Sequence, residues 1–120
     1  MHTKVNLAQK FTLFNELWTP KIVGEFNEMY IKLAKLKGEF VWHKHDNEDE
    51  LFLVVKGILT IKLRDKDIVL HEGEFFIVPK GVEHMTVAPE EVHVVMIEPK
   101  STLNTGDVSD AKTVEKPDWI

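Results

Sequence analysis

His43-Lys44-His45-Asp46-Asn47-Glu48-Asp49-Glu50-Leu51-Phe52-Leu53-Val54-Val55 is the stretch from which the fold can be read. Side chains on a strand alternate between faces, so His43 and His45 share one face while Trp42 and Lys44 take the other. Beyond the acidic loop Asp46 to Asp49, Glu50, Phe52 and Val54 share a face by the same rule. Leu51 to Val55 is apolar on both faces and is expected to be covered on both sides. His84 follows the bend Pro79-Lys80-Gly81, which redirects the chain. A β-sheet that closes on itself brings such inward faces together. His43, His45, Glu50 and His84 would then form one cage. Three neutral imidazoles and a carboxylate suit one divalent transition metal (Mn, Fe, Ni, Co, Cu or Zn) better than Mg or Ca. An ion that accepts six ligands keeps positions open for water or substrate, as catalytic metal sites do.

The rest of the chain reads as the scaffold for that cage. Asn6 to Trp18 is the one helical-looking stretch: Leu7, Phe11, Phe14 and Trp18 fall three or four residues apart, Asn6 is the candidate N-cap, and Pro20 ends it. Thr12 and Asn15 weaken the pattern, so two turns are all that is expected. This arm is read as packing its aromatics onto the barrel or onto a second subunit. From Lys21 the period changes to that of strands: Lys21 to Glu25, Met29 to Lys37, Phe40 to His45, Leu51 to Val55, Ile58 to Leu63, Ile68 to His71, Phe75 to Val78, His84 to Val87 and Val92 to Glu98. The last two are divided by a turn expected at Ala88-Pro89-Glu90. Roughly nine or ten short strands at this spacing, with no alternating helices, predict an all-β sandwich or barrel. The domain reading is an arm over 1–20, a β-barrel over 21–100 and a polar tail over 101–120 whose apolar tip, Trp119-Ile120, anchors it.

Composition excludes several classes. A chain of 120 residues suits one domain. No apolar run approaches the roughly 18–20 residues of a membrane span. The first ten residues show no export signal, so a cytoplasmic location is expected. There is no cysteine, which leaves only nitrogen and oxygen ligands for a metal. The net charge is −5, with basic and acidic residues interspersed, so neither nucleic acid nor membrane is an expected partner.

Two segments carry a family resemblance. Gly38, His43-Lys44-His45, Glu50 and Gly57 resemble the first cupin motif, and Gly73, Pro79-Lys80-Gly81 and His84 resemble the second. Gly38 stands one residue closer to His43 than is commonest, and Ala88 replaces an asparagine frequent in the second motif; neither change touches a candidate ligand. Trp18-Thr19-Pro20-Lys21, Ile97-Glu98-Pro99 and Leu103-Asn104-Thr105-Gly106 look like the small single-domain cupins of the mannose-6-phosphate-isomerase-like group. The resemblance implies a cupin jelly-roll β-barrel with a short N-terminal helix, and a homodimer formed through an outer sheet.

The functional expectation is a metal-binding cupin acting as a metal-dependent enzyme on a small organic molecule, by sugar-like isomerase or epimerase chemistry or by oxygenation. The alternative is a non-catalytic binder of metal and ligand, with a sensor or storage role. Phe52, Val54, Phe76, Val78 and Met96 are the candidate pocket walls by parity, with Tyr30 or Lys32 as a polar group. Asp46, Glu48 and Asp49 read as a solvated loop, His71 and His93 as structural, and His2 as disordered. The single arginine, Arg64, falls in a turn, and no glycine-rich loop opens a helix, so no phosphate cradle is visible.

Overall fold

The computed structural model describes residues 3–120, so His2 lies outside the described residues. One short helix and seven strands follow in order: α1 (Leu7–Phe11), β1 (Lys21–Phe26), β2 (Met29–Glu39), β3 (Glu50–Lys56), β4 (Leu59–Leu63), β5 (Asp67–Leu70), β6 (Phe75–Val78) and β7 (His84–Pro99). The strands pair antiparallel in the order β1-β2-β7-β3-β6, and β4 joins β7 to β5. β7 is the hub, hydrogen-bonded to β2, β3 and β4.

Strand alternation divides the apolar residues between two cores. The inner one takes Ala34 and Leu36, Phe52 and Val54, Leu59 and Ile61, Leu70, Val78, and Val92, Val94 and Met96. It draws on every strand from β2 to β7, as expected of an all-β fold rolled around one interior. The outer one forms where Phe11 and Phe14 of the arm cover Val23, Leu33 and Val95 on the back of the sheet.

Several expected elements differ in extent. The helix is a single short piece: Asn6 Oδ1 accepts from Gln9 N at 3.0 Å as its N-cap, and Thr12 closes it by donating its hydroxyl to Gln9 O at 2.6 Å. A threonine that bonds back to the turn ends a helix rather than extending it. Phe11 and Phe14 still reach the sheet.

Phe40 to His45 forms no ladder of its own. It runs beside the start of β7 with one isolated bridge, His43 to His84, and Phe40 N donating to Thr86 O at 3.0 Å. The expected turn at Ala88-Pro89-Glu90 is absent, and β7 is one strand of 16 residues. Its register on β2 jumps from Leu36↔Val92 to Gly38↔Ala88, so Pro89 to Glu91 bulge out opposite Lys37. A bulge tolerates a proline that has no N–H for the ladder, and beyond it the edge of β7 opposite β2 passes from β3 to β4.

The cover expected on both faces of the strand Leu51 to Val55 is found on the inner one only: Phe52 and Val54 are buried, whereas on the outer face Leu51 and Leu53 are half-buried and Val55 is exposed. Beside them on β6, which pairs with β3 alone, Phe75 and Ile77 are 60% and 47% exposed. Among the described residues, no helix is long and apolar enough to cross a membrane.

Residues 101–120 contain no strand or helix but are held closely. Ile22 N donates to Asp118 O at 2.8 Å and Ile120 N to Ile22 O at 3.0 Å, which fixes the tip against β1. Asn104 is bound at both ends of its amide, to Lys112 O and Val114 N, each at 2.8 Å.

Candidate metal centre

The cage is built by three pieces of chain that meet inside the sheet. His43 and His45 come from the irregular segment before β3, Glu50 opens β3, and His84 opens β7. The bridge between His43 and His84, closed by N–H to O bonds of 3.0 and 2.9 Å, holds two imidazoles side by side. Alternation points His45 the same way as His43 and leaves Lys44 outside, as the spacing predicts. The turn at Pro79-Lys80-Gly81 is tied to the same segment, since Gly81 N donates to His45 O at 2.8 Å. All four side chains are buried, and their ligand atoms lie within 4.8 Å of one another.

The hydrogen bonds aim the rings. His43 Nδ1 bonds to Val41 O at 2.8 Å and His84 Nδ1 to Val82 O at 3.0 Å. A ring that donates Nδ1–H to a carbonyl keeps a lone pair on Nε2, the form a metal needs. His84 Nε2, His45 Nε2 and Glu50 Oε1 are buried with no hydrogen-bond partner. Both imidazole nitrogens nevertheless stand close to Glu50 Oε1, at 3.4 and 3.3 Å. Buried polar atoms left unpaired cost about 1–3 kcal/mol each. Three of them facing one point, at separations suited to nitrogen and oxygen around one ion, fit a divalent transition metal.

For His43 and Glu50 the electrostatics agrees with that fit, while in the metal-free chain Glu50 draws a proton onto His45. Burial, reinforced by His84, lowers the His43 pKa from 6.5 to about 4, so this ring is neutral at pH 7. Burial also opposes charge on His45, but Glu50 outweighs it and the pKa is raised. Glu50 is likewise penalised by burial, yet contacts with Glu98, His45 and His84 hold it well below the ordinary carboxyl value. Glu98 moves the other way: burial and the facing Glu50 raise it well above the usual range.

His43 and Glu50 also line a narrow pocket. Its walls are apolar: Trp18, Pro20, Ala34, Leu36, Phe40, Phe52 and Met96, with Thr86 and Asn104 the polar members. Phe52 and Met96 are where parity put them. Val54 and Val78 are packed in the core instead, Phe76 leans on that core, and Tyr30 and Lys32 are not in the wall.

Most of the wall is absent from the candidates read from sequence, namely Pro20, Ala34, Leu36, Phe40, Thr86 and Asn104, and two further residues carry more weight. Trp18, read as arm packing, is in the pocket wall. Its backbone sits at φ 58°, its N donates to Lys35 O at 2.9 Å, its indole donates to Lys37 O at 3.0 Å, and it stacks on Phe40 at 4.9 Å. Glu98 lies inside beside Glu50; it is two residues from Met96, and the same parity that selected Met96 could have found it.

The remaining candidates lie elsewhere. His71 is exposed. His93 faces outward, stacked on Phe11 at 4.8 Å and bonded to Glu91 at 2.7 Å. Asp46 and Asp49 are exposed, and Glu48 is half-buried and accepts from Ser101. The tail contributes to the site from outside: Asp107 brackets Lys44, accepting from its N and donating to its O, both at 3.0 Å. Gly106 makes this approach possible, because a Cβ there would stand 2.2 Å from Lys44 O and 2.9 Å from His43 Cδ2.

Comparison with known proteins bears on this geometry. A family profile described as a cupin domain matches residues 29–98. The chain is similar to a crystal structure of a cupin-2 domain containing protein from Shewanella frigidimarina NCIMB 400, with 47% identity and a TM-score of 0.79 over 80% of this chain and 94% of that one. It is also similar to protein NMB1881 from Neisseria meningitidis, with 29% identity and a TM-score of 0.75 over 82% of this chain and all of that one. Among curated relatives, YdbB of Bacillus subtilis is 40% identical over 65 residues, 53% of this chain and 58% of YdbB. A mannose-1-phosphate guanylyltransferase of Sinorhizobium fredii is 27% identical over 81 residues, 63% of this chain and 16% of that protein. The matches thus span less than two thirds of either curated relative.

Proposed function

The chain belongs to the cupin family, and from that premise we propose that it is a metal-dependent enzyme acting on a small organic molecule. The observation that carries this reading is that two cage residues, His43 and Glu50, are also pocket residues, so a ligand in the pocket stands against the cage. His43, His45, Glu50 and His84 would hold one divalent transition ion. Such an ion supplies Lewis-acid polarisation of an oxygen ligand and acidifies bound water.

The chain's own residues do the rest. The stacked Trp18 and Phe40 and the aliphatic walls exclude water from the ligand, which strengthens every electrostatic contact inside. Thr86 offers a hydroxyl in the wall, whereas the Asn104 amide is committed to the tail. Glu50, held as a carboxylate, supplies negative charge to the pocket lining.

Among the described residues, no lysine or arginine stands in that wall. Arg64 lies over the Trp42 ring at 3.8 Å and pairs with Glu83 at 3.2 Å, away from the pocket. A phosphate would meet no cation there, so oxygenation or isomerisation of an unphosphorylated compound is favoured over sugar-phosphate isomerisation. Fold alone does not choose between those reactions. We further propose that the outer strip of exposed Val55, Phe75 and Ile77, flanked by half-buried Leu51 and Leu53, pairs with a second copy of the chain, as exposed apolar patches of this kind commonly do.

The test starts from untagged protein loaded with Mn or Fe and checked by elemental analysis for one ion per chain. The loaded forms are screened under air and without oxygen against neutral hydroxy-carbonyl compounds, free sugars and sugar phosphates. Turnover of an unphosphorylated compound is the expected result. Turnover confined to phosphorylated sugars overturns the substrate reading, and tight binding without turnover of anything favours a sensor or storage protein.

A further inference from the structure

The strand register places two carboxylates directly opposite each other inside the sheet. β3 and β7 pair Leu51 with Ile97 and Phe52 with Met96, which sets Glu50 across from Glu98. They are 1% and 0% exposed. Like charges opposite each other across an antiparallel pair are destabilising, and burial makes this worse. Lys32, on the inner face of β2, answers half of the problem: its Nζ lies 2.8 Å from Glu98 Oε1 with both side chains buried. Glu98 Oε2 and Glu50 Oε1 remain without a hydrogen-bond partner. A cation-anchored carboxyl group, Glu98 held by Lys32, thus stands across the strand pair from the one carboxylate of the cage, with both buried.

We propose that Glu98, anchored by Lys32, is a positioning residue for the metal centre: it occupies the far side of the Glu50 carboxyl and keeps Oε1 turned towards His45 and His84. The inference rests on the metal-centre reading above. The bland alternative is an ion pair that merely fills the end of the barrel. It predicts a loss of stability when the pair is removed and no specific effect on metal binding. A buried ion pair replaced by apolar residues of similar size is often neutral or stabilising, so the two roles can be separated.

The experiment compares metal-free and Co-loaded wild type with Lys32→Met/Glu98→Leu and with Glu98→Gln. It reads the metal dissociation constant, the visible Co spectrum and the thermal midpoint of the metal-free chain. The double variant is expected to melt no lower than wild type when metal-free, to bind metal about 10–100-fold more weakly, the usual effect of losing a group that orients a ligand, and to show an altered Co spectrum. Glu98→Gln keeps a polar group against Glu50 and is expected to bind within a few-fold of wild type. If the double variant does not fold, Glu98→Asp replaces it: the carboxyl, drawn back by one methylene, should weaken binding similarly.

Wild-type affinity and spectrum in the double variant, or in Glu98→Asp where that is used, overturn the proposal. So does a loss in Glu98→Gln as large as in the double variant, because charge rather than placement would then be at work. Failure of wild type to take up any metal overturns the metal-centre reading itself, which is a different result.

Discussion

His43 shows what burial does to a single side chain before any metal arrives. Lost hydration, reinforced by His84 and outweighing the opposing pull of Glu50, lowers its pKa to about 4, against 6.5 for an ordinary imidazole. Between those two values the unfolded chain binds a proton at this position and the folded chain does not. The metal-free protein should therefore lose stability as the pH falls from about 6.5 towards 4, because stability rises with pH wherever the unfolded state holds more protons. His45, whose pKa is raised by Glu50, opposes this at the upper end of the window. Urea midpoints of metal-free wild type and His43→Asn at pH 7 and pH 5 check the point: wild type should lose more on acidification than the variant. Equal losses would mean that the His43 ring is not desolvated as its surroundings require.

At the scale of elements, the cage depends on segments that carry no ligand. The tail turn at Thr105 to Asp107 clamps Lys44, and Lys44 sits between two of the four cage residues. Gly106 has a left-handed backbone at φ 57° and no room for a Cβ. Gly106→Ala should thus cost about 2 kcal/mol or more, the range for backbone strain combined with a forced shift of packed atoms. Because the shift falls on Lys44 O and the His43 ring, metal retention through dialysis should drop as well. Full stability with full metal content in this variant would show that the tail is only draped over the site. The bulge in β7 has a related role: β2 stays paired with β7 on both sides of it, while the opposite edge passes from β3 to β4, so one strand carries both His84 and Glu98 into the interior.

For the whole molecule, the distribution of apolar surface is uneven. The outer core around the arm takes in Val23, Leu33 and Val95 and reaches Leu53 of β3, but on β6 Phe75 and Ile77 stay exposed. If a second copy covers that strip, light scattering behind a sizing column should give a dimer mass for wild type. The double change Phe75→Lys/Ile77→Lys should give a monomer with a retained β-sheet spectrum. Monomeric wild type at tens of micromolar would remove the proposed pairing. A small domain buries a limited share of its surface alone, so dissociation should also lower the thermal midpoint.

The alternation of side chains along a strand is a covalent fact, and it alone determined that His43 and His45 look the same way, that Glu50 shares a face with Phe52, and that Met96 turns inward. The all-β class and the Asn6 cap were likewise local, written in spacing and in one side chain that bonds its own backbone. What pairs with what was not local. That Phe40 to His45 joins no ladder, that β7 runs unbroken through Pro89, that Trp18 from the arm walls the pocket and that Glu98 stands opposite Glu50 all depend on which strands become neighbours. Such neighbours lie tens of residues apart in the chain, and their approach is fixed only when the sheet closes and every buried polar group must find a partner or an ion. A residue's own face was therefore readable in advance, whereas the residue it would meet there was settled by tertiary closure.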